Sequence, residues 1–515
     1  MQHIDMTVDG GSGKVPDSGA APVLQSGIPG LDNILGGGFP AQRLFLIEGE
    51  PGAGKTTLSM QFLLEGVARG EQVLYVTLSE TTHELEVVAR SHGWSLETIS
   101  VLDLESVPNL AEPEAQYTVF HPSEVELQDS VAAVLARAEE VKPARVVLDS
   151  LTEMRLLARD SLRFRRQILA LKKFFAARGA TVLMLDDVSP RDAEMQLHSL
   201  VHGVIQLEHS VLSHGAERRR LRATKLRGVN FHAGYHDYTI RKGGLEVFPR
   251  IRLGVNPPAL VPAVDSCGSR QLDALLGGGL VRGASILVTG APGTGKSVLT
   301  TQFAVAAAER GHRTAIYLFD ERMGTFLERA KGLGMSIEKH IQSGHLMLTQ
   351  LEPTELSPGE FTSRVLRNIH EDGVCIVVVD SLNGFTKAMA EESDLAIKIH
   401  ELLSYLGGHG VTTIMTLAQR GIFGAPPDDV TDVSYLADGV VLLRYFESQG
   451  AVRRAISVVK QRTGNHEQTI REFRIERGGF MLGEPLNEFQ GVLTGVPTYT
   501  GREAALMNNA EASNQ

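Results

Sequence analysis

The chain has 515 residues, and its 50 lysines and arginines against 61 aspartates and glutamates give a formal net charge of −11 at pH 7. A single hydrophobic core stops growing at roughly 250–300 residues, so at least two domains are expected. Hydrophobic residues make up 43% and charged residues 22%, which excludes a disordered chain. No apolar run reaches the roughly 18–20 residues of a membrane span, and the polar residues 1–20 lack the pattern of a signal peptide.

Cysteine content and charge bear on the compartment and on the partners. The two cysteines, Cys267 and Cys375, are too few for a disulfide framework and are typical of a reducing environment. The acidic balance argues against long-range attraction to nucleic acid or to anionic lipid. We therefore expect a cytoplasmic protein that binds neither a membrane nor nucleic acid.

One block of sequence occurs twice. Leu31 and Lys55 of the first copy recur as Leu272 and Lys296 of the second, at the same separation of 241 residues. Solenoid repeats have periods of roughly 20–50 residues, so this spacing indicates a duplicated domain. We expect a flexible N-terminus at residues 1–20, two domains at residues 21–250 and 251–486, and a C-terminal tail at residues 487–515.

Short apolar runs alternate with helical patterns in both halves. In the first half, strands are predicted at residues 43–49, 72–78, 145–149 and 181–185. In the second half, strands are predicted at residues 284–290, 314–319, 375–380 and 411–417. Continuous apolar strands separated by helices predict an α/β fold with a mostly parallel sheet covered on both faces. The alternating segments 204–247 and 439–481 predict antiparallel hairpins that extend each sheet.

Each half contains a glycine-rich loop of the form G-x-x-x-x-G-K-[ST] between a predicted strand and a predicted helix. In such a P-loop the backbone N–H groups approach the phosphates of a nucleotide and the lysine reaches the β- and γ-phosphates. The hydroxyl of Thr56 or Ser297 would coordinate Mg²⁺. The candidate nucleotide-binding residues are Gly49, Gly52, Gly54, Lys55, Thr56 and Thr57 in the first half and Gly290, Gly293, Thr294, Gly295, Lys296 and Ser297 in the second.

Carboxylates follow two of the predicted strands in each half. Asp149 and Asp380 end buried strands, where we expect them to hold Mg²⁺ or its water ligands. Glu80 and the pair Asp320 and Glu321 follow the strand after the P-loop helix, a position suited to orienting an attacking water or accepting its proton. The alternative is a solvated carboxylate that merely ends a strand or begins a helix.

A pair of basic residues also recurs in equivalent hairpins. Lys225 and Arg227 match Lys460 and Arg462, and residues two apart on a strand share a face. Each pair could therefore reach the γ-phosphate bound by an adjacent subunit, as an arginine finger does. A solvated hairpin face is the alternative.

Two halves that each carry this set of motifs resemble the RecA-like ATPases, and among them the KaiC family. The resemblance covers residues 26–499 and is most specific at residues 31–35 and 272–276, at both P-loops and at residues 460–473. It implies two tandem RecA-like P-loop NTPase domains that form a double-ring homohexamer, with ATP and Mg²⁺ at the subunit interfaces. It also implies that the first ring hydrolyses ATP, while the second phosphorylates and dephosphorylates its own subunits.

The resemblance assigns further residues by position. Glu80 and Glu321 match the second of the family's paired catalytic glutamates, and the first of each pair is Ser79 or Asp320 here. The phosphoacceptors of the family are an adjacent serine and threonine, which align with Ser434 and Tyr435. As partners, the resemblance implies a KaiB-like protein on the N-terminal ring and a KaiA-like protein at the tail.

Two other classes of function remain open at the level of sequence. A DNA-dependent motor on the same fold would need positively charged loops around the ring channel. A nucleotide-gated scaffold without kinase activity would use ATP mainly to set assembly and partner binding.

Overall fold

The computed structural model describes residues 22–104, 122–187, 197–211, 217–252, 263–352, 356–388, 395–419, 434–448, 450–462, 464–492 and 498–500. The chain divides into two compact units and passes from one to the other between Pro249 and Arg250. Each unit contains one nine-stranded sheet. Within these ranges, no helix combines the length and the apolar character that crossing a lipid bilayer requires.

The first unit alternates strands and helices as far as its seventh strand and then continues as hairpins. Its strands are β1 Val23–Leu24, β2 Phe39–Pro40, β3 Leu44–Gly49, β4 Val73–Thr77, β5 Ser100–Asp103, β6 Arg145–Asp149, β7 Thr181–Asp186, β8 Gly203–Val211, β9 Glu217–Leu226, β10 His236–Arg241 and β11 Gly244–Phe248. Its helices are α1 Pro29–Ile34, α2 Lys55–Ala68, α3 Thr82–His92, α4 Pro122–Val141, α5 Leu151–Ala158 and α6 Ser161–Ala177.

The sheet of this unit has the order β11-β10-β9-β8-β3-β7-β6-β4-β5. The strands from β8 to β5 pair in parallel, whereas β8 to β11 pair as antiparallel neighbours. All six residues of β3 are buried, because helices cover both faces of the sheet. Phe45 and Ile47 belong to the core under α1 to α3, and the alternating Leu44 and Leu46 belong to the core under α4 to α6.

The second unit repeats this arrangement. Its strands are β12 Val264–Asp265, β13 Leu280–Val281, β14 Ser285–Gly290, β15 Thr314–Leu318, β16 Leu346–Gln350, β17 Ile376–Asp380, β18 Thr412–Ala418, β19 Gly439–Ser448, β20 Ala451–Gln461, β21 Arg471–Glu476 and β22 Gly479–Pro485. Its helices are α7 Arg270–Leu275, α8 Lys296–Glu309, α9 Met323–Gly332, α10 Ile337–Gln342, α11 Pro358–His370, α12 Leu382–Ala388 and α13 Leu395–Gly408.

The second sheet has the equivalent order, β16-β15-β17-β18-β14-β19-β20-β21-β22. Ile286 and Val288 of β14 face the core under α7 to α10, and Leu287 faces the core under α11 to α13. The predicted fold class is therefore confirmed: two tandem α/β domains of the RecA-like P-loop type, with mostly parallel sheets, flanking helices and antiparallel extensions. The carboxyl ends of β3, β4, β6 and β7, and of their counterparts, meet at one edge of each sheet.

Part of the segment predicted as a C-terminal tail packs against the second unit. Strand β23 Phe489–Gln490 pairs with β24 Thr498–Tyr499. Val492 is buried in a small apolar cluster with Leu486 and Phe446.

One buried charge distinguishes the two sheets. The side chain of Arg145 in β6 is fully buried, forms an ion pair with Glu71 and donates to the carbonyls of Gln25 at 2.7 Å and Phe62 at 2.8 Å. The strand register places Ile376 at the equivalent position of β17. The duplicated halves therefore share a backbone arrangement but not every core contact.

Candidate nucleotide sites

The first P-loop connects β3 to the N-terminus of α2. Gly52 and Gly54 have φ angles of 81° and 97°, in the left-handed region that glycine adopts without strain. A Cβ on Gly49 would lie 2.8 Å from the carbonyl oxygen of Leu207, so this strand end also requires glycine. Helix α2 begins at Lys55 and presents the partial positive charge of its N-terminus to the loop.

Residues that follow the lysine belong to the first turn of α2. The Thr56 hydroxyl lies 3.4 Å from Oδ2 of Asp149, so both side chains could contribute an oxygen to one Mg²⁺. Thr57, in the same turn, is buried.

The second P-loop has the same backbone form. Gly293 and Gly295 have φ angles of 79° and 110°, and α8 begins at Lys296. The hydroxyl of the buried Thr294 donates to the carbonyl of Ala291 at 2.8 Å, a hydrogen bond within the loop that stabilises its turn. At the end of β14, a Cβ on Gly290 would collide with the carbonyl oxygen of Leu443, so this position requires glycine. Ser297 lies in the first turn of α8.

The two P-loop lysines differ in their partners. Lys55 Nζ donates to the carbonyls of Gly49 at 2.6 Å and Glu50 at 3.1 Å, and it forms an ion pair with Asp187 at 2.9 Å. Lys296 Nζ donates to the carbonyls of Gly290 and Ala291, each at 2.9 Å.

Their electrostatic environments differ accordingly. Burial lowers the pKa of Lys296 to about 8, a shift that the charge of Asp380 partly offsets. Among the described residues, no carboxylate lies within ion-pair distance of Lys296. Within the residues that the structure describes, Lys296 therefore has no counterpart of the Asp187 carboxylate that pairs with Lys55.

The aspartate at the end of β6 is held by a tyrosine. The Tyr75 hydroxyl donates to Asp149 Oδ2 at 2.5 Å from the adjacent strand β4. Burial raises the pKa of Asp149, while the bond from Tyr75 and the charge of Lys55 oppose that rise. Burial also raises the pKa of Tyr75 well above its usual range, and the neighbouring Asp149 adds to the effect. Tyr75 therefore remains a hydrogen-bond donor to Asp149.

The matching aspartate at the end of β17 has a different partner. Thr416 of β18 donates to Asp380 Oδ1 at 2.5 Å. Asp380 Oδ2 is buried and has no hydrogen-bond partner in the described part of the chain. A buried carboxylate oxygen without a partner is unfavourable unless a cation or a water satisfies it, so this site fits a hydrated Mg²⁺. The peptide bonds that follow Asp149 and Asp380 are both cis.

Glu80 is positioned by the turn that follows β4. Its backbone N–H donates to the Thr77 hydroxyl at 3.0 Å, and that hydroxyl donates to the Glu80 carbonyl at 2.6 Å. Glu80 Oε2 is buried without a hydrogen-bond partner among the described residues. Burial raises the pKa of Glu80, and the charges of Asp149 and Glu84 raise it further. These features are typical of a carboxylate that accepts a proton from a bound water.

The equivalent carboxylates of the second unit already have partners. Asp320 accepts a hydrogen bond from the Ser381 hydroxyl, and Gly384 allows this approach because a Cβ there would lie 2.7 Å from Asp320 Oδ1. Glu321 forms an ion pair with Arg329 of α9. Valine, Val88, stands at the position of α3 that corresponds to Arg329.

The paired basic residues contact backbone carbonyls of their own unit. In the first unit, Lys225 Nζ donates to the Val201 carbonyl at 2.9 Å and Arg227 to the Ser199 carbonyl at 3.0 Å. Burial lowers the pKa of Lys225, and the charge of Arg227 adds to this.

In the second unit the same contacts reach the two predicted phosphoacceptors. Lys460 Nζ donates to the Ser434 carbonyl at 2.9 Å, and Arg462 donates to the Tyr435 carbonyl at 3.0 Å. The Tyr435 side chain is exposed and that of Ser434 is half-buried. The structure therefore brings the second basic pair and the predicted acceptor turn together, and an action on a neighbouring subunit stays a prediction.

Four residues at these sites were missed from the sequence: Tyr75, Asp187, Arg329 and Thr416. Asp187 lies two residues after the predicted strand at residues 181–185, close to the kind of strand end that identified Asp149, so it could have been found. The other three make contacts that depend on the register between strands or on the packing of a helix, for which the sequence carries no local signal.

A comparison with known protein families matches both halves of the chain to the same family. The family described as "ATPase: KaiC" matches residues 24–252 and again residues 266–487. The chain belongs to the KaiC family of ATPases. Both matched segments contain one complete P-loop, one strand-end aspartate and one basic pair.

Curated KaiC proteins match this KaiC-family chain over nearly its whole length. It is 28% identical over 483 residues to the circadian clock protein KaiC3 of Synechocystis sp., covering 93% of this chain and 95% of that protein. It is 27% identical over 484 residues to the circadian clock oscillator protein KaiC of Synechococcus elongatus, covering 92% of each. The KaiC of Thermostichus vulcanus is 26% identical over 502 residues, with 94% and 95% covered.

Proposed function

We propose that this KaiC-family chain binds ATP with Mg²⁺ at both P-loops, hydrolyses it at the first and transfers a phosphoryl group to its own Ser434 at the second. Assembly as a homohexamer with ATP between neighbouring subunits is part of this proposal, as is a KaiB-like partner. The observation that carries it is the recurrence, in both units, of a P-loop lysine at a helix N-terminus beside a buried strand-end aspartate.

Mg²⁺ fits the residues at both loops. Thr56 and Asp149 would hold it in the first site, and Ser297 and Asp380 in the second, where Asp380 Oδ2 has no hydrogen-bond partner among the described residues. Mg²⁺ held by these residues would supply positive charge that offsets the negative charge developing on the phosphates during transfer. Tyr75 and Thr416 orient the two aspartates for this task through their hydroxyl groups.

At the first site the protein would orient the attacking water. The backbone of Glu80 is held at the tip of β4 by Thr77, and its buried Oε2 has no hydrogen-bond partner in the described part of the chain. Its raised pKa brings the carboxylate closer to the operating pH, which favours proton transfer from water to Glu80.

At the second site the acceptor would be a serine hydroxyl. A bond forms between Ser434 Oγ and the γ-phosphorus, while the bond from that phosphorus to the β–γ bridging oxygen breaks and ADP leaves. The hydroxyl proton passes to a carboxylate, for which Asp320 and Glu321 are the candidates. Lys460 and Arg462 support this proposal because they fix the backbone of the acceptor turn.

Mapping of phosphopeptides tests the kinase part of the proposal. After incubation with γ-labelled ATP and Mg²⁺, we expect label in the peptide that contains Ser434. Ser434→Ala should remove at least about 90% of it, since it deletes the nucleophile. Tyr435→Phe is the matched control and should retain it. Label that is absent from this peptide in the wild type would contradict kinase activity while leaving the ATPase untouched.

A nucleotide-gated scaffold is the second candidate function, and one observation favours it. Glu321 forms an ion pair with Arg329, and this pair occupies one of the two carboxylate oxygens that would otherwise contact an acceptor hydroxyl. A chain that assembles with ATP but not ADP, and whose Ser434 peptide carries no label, would support the scaffold over the kinase.

The second site is expected to lose nucleotide affinity as the pH rises above about 8. Lys296 has its pKa lowered to about 8 by burial, so above this pH the site must take up a proton before the ammonium can bind phosphate. Above pH 8 the nucleotide affinity should therefore fall by up to about tenfold per pH unit. Below pH 8 the lysine is already charged, so the nucleotide affinity should no longer depend on its protonation. Calorimetric titration of Lys55→Ala with Mg–ADP measures this, and a constant affinity across pH 7 to 9 would contradict it.

A further inference from the structure

The P-loop lysine of the first unit is already surrounded by acceptors. Its ammonium group has three N–H donors, and the structure directs them to the carbonyls of Gly49 and Glu50 and to Oδ1 of Asp187. The Lys55 side chain is only 10% exposed, whereas that of Asp187 is 41% exposed. Of these three acceptors, only the carboxylate carries a full negative charge, so only it resembles a phosphate group.

Asp187 is held in this position by its own surroundings. Its backbone N–H donates to the Thr152 hydroxyl at 3.4 Å, and that hydroxyl lies 3.3 Å from Asp187 Oδ2 and 3.0 Å from Asp186 Oδ1. Asp186 is buried at the end of β7 and forms an ion pair with Arg155 of α5. The carboxylate of Asp187 therefore reaches Lys55 from a fixed strand end and not from a freely moving loop.

The second unit lacks this carboxylate. In the first unit β7 pairs with β3, and Asp186 lies opposite Glu48. In the second unit β18 pairs with β14 in the same way, and Leu417 lies opposite Thr289. Asp187, one residue further, therefore corresponds to Ala418. Lys296 accordingly donates to the carbonyls of its own loop without a carboxylate beside it in the described residues. Within the described part of the chain, one P-loop thus has a carboxylate counter-ion and the other does not.

We propose that Asp187 is a built-in competitor for the phosphate of the nucleotide, and that it lowers the nucleotide affinity of the first site by acting on Lys55. This inference rests on the proposed function, because it assumes that the first P-loop binds a nucleotide phosphate. A phosphate that binds Lys55 must displace the Asp187 carboxylate and then lie close to its negative charge. Asp187 is a positioning residue in this view, because it acts through the lysine.

The test isolates each site by removing the lysine of the other. In Lys296→Ala only the first site binds, and Asp187→Asn is then added, since asparagine keeps the shape and still accepts from Thr152. Isothermal titration with Mg–ADP should show about fivefold to tenfold tighter binding in the Asn variant. The gain should shrink at high salt, because the half-exposed ion pair and the repulsion are both screened. Asp187→Glu should keep the weaker affinity of its parent.

The second unit provides the reciprocal experiment. In Lys55→Ala only the second site binds, and Ala418→Asp should weaken Mg–ADP binding there by about fivefold to tenfold. A merely structural role for Asp187 would not produce tighter binding on its removal.

Two results would overturn the inference. Affinity that is unchanged in Asp187→Asn would mean that the carboxylate does not compete, and weaker binding would mean that it helps to hold the nucleotide or its Mg²⁺. If Lys296→Ala itself fails to bind Mg–ADP, while its thermal unfolding is that of the wild type, the proposed function of the first P-loop fails and the inference fails with it.

Discussion

Lys55→Ala is expected to abolish nucleotide binding at the first P-loop and to leave the second P-loop intact, and Lys296→Ala is expected to do the reverse. Each lysine can donate charge-assisted hydrogen bonds to the phosphates of a bound nucleotide, and such bonds contribute about 1.5–3 kcal/mol each. Losing two of them weakens binding by about 10²-fold or more.

Calorimetric titration with Mg–ADP should therefore change from two sites per chain to one in each single variant. Lys173→Ala, which removes an exposed lysine of α6, is the matched control and should retain both sites. If both single P-loop variants kept two sites of wild-type affinity, the two-site proposal would be wrong.

Glu80→Gln is expected to lower ATP turnover at the first site by about 10²–10³-fold while changing nucleotide affinity little. Glutamine keeps the shape of the side chain but cannot accept the proton of the attacking water. Phosphate release in the Lys296→Ala background measures this turnover. Because burial raises the pKa of Glu80 above the usual 4.5, the acid limb of the rate–pH profile should lie above that value and disappear in the variant. A wild-type rate in Glu80→Gln would exclude this residue as the base.

Glu321→Gln provides the matched comparison at the second site, with a smaller expected loss. The ion pair with Arg329 already occupies one oxygen of the Glu321 carboxylate, so this side chain is less available to contact the reacting hydroxyl. Arg329→Val introduces the residue that the first unit has at this position, Val88, and should raise turnover in the Lys55→Ala background by about threefold or more. A fall in turnover would show instead that Arg329 supports the reaction.

Much of both candidate sites could be predicted from the sequence because their parts are local. A P-loop is contiguous, and its form follows from glycines that accept positive φ angles, such as Gly54 and Gly295, followed directly by a helix. The duplication strengthened this signal, since the P-loop occurs again 241 residues later and the other motifs recur in the same order. Strand-end aspartates could be recognised for the same reason, since a short apolar run that ends in a carboxylate is visible along the chain.

The differences between the two sites could not be predicted in this way. Tyr75 and Thr416 reach equivalent aspartates from different neighbouring strands, so their roles depend on strand order and register. Arg329 contacts Glu321 only because α9 packs beside the end of β15. Arg145 forms its ion pair with Glu71 inside the core, where the sequence pattern predicts only apolar contacts.

The sequence by itself determined that this protein has two nucleotide-handling domains of one kind, because glycine, lysine and aspartate act there through the geometry of a few consecutive residues. Only the tertiary structure decided how those domains differ. The pairing of Lys55 with Asp187, and its absence at Ala418, arises where the ends of β3 and β7 meet, at positions 132 residues apart in the chain. Electrostatic contacts depend on distance in space, and that distance exists only once the sheet has formed.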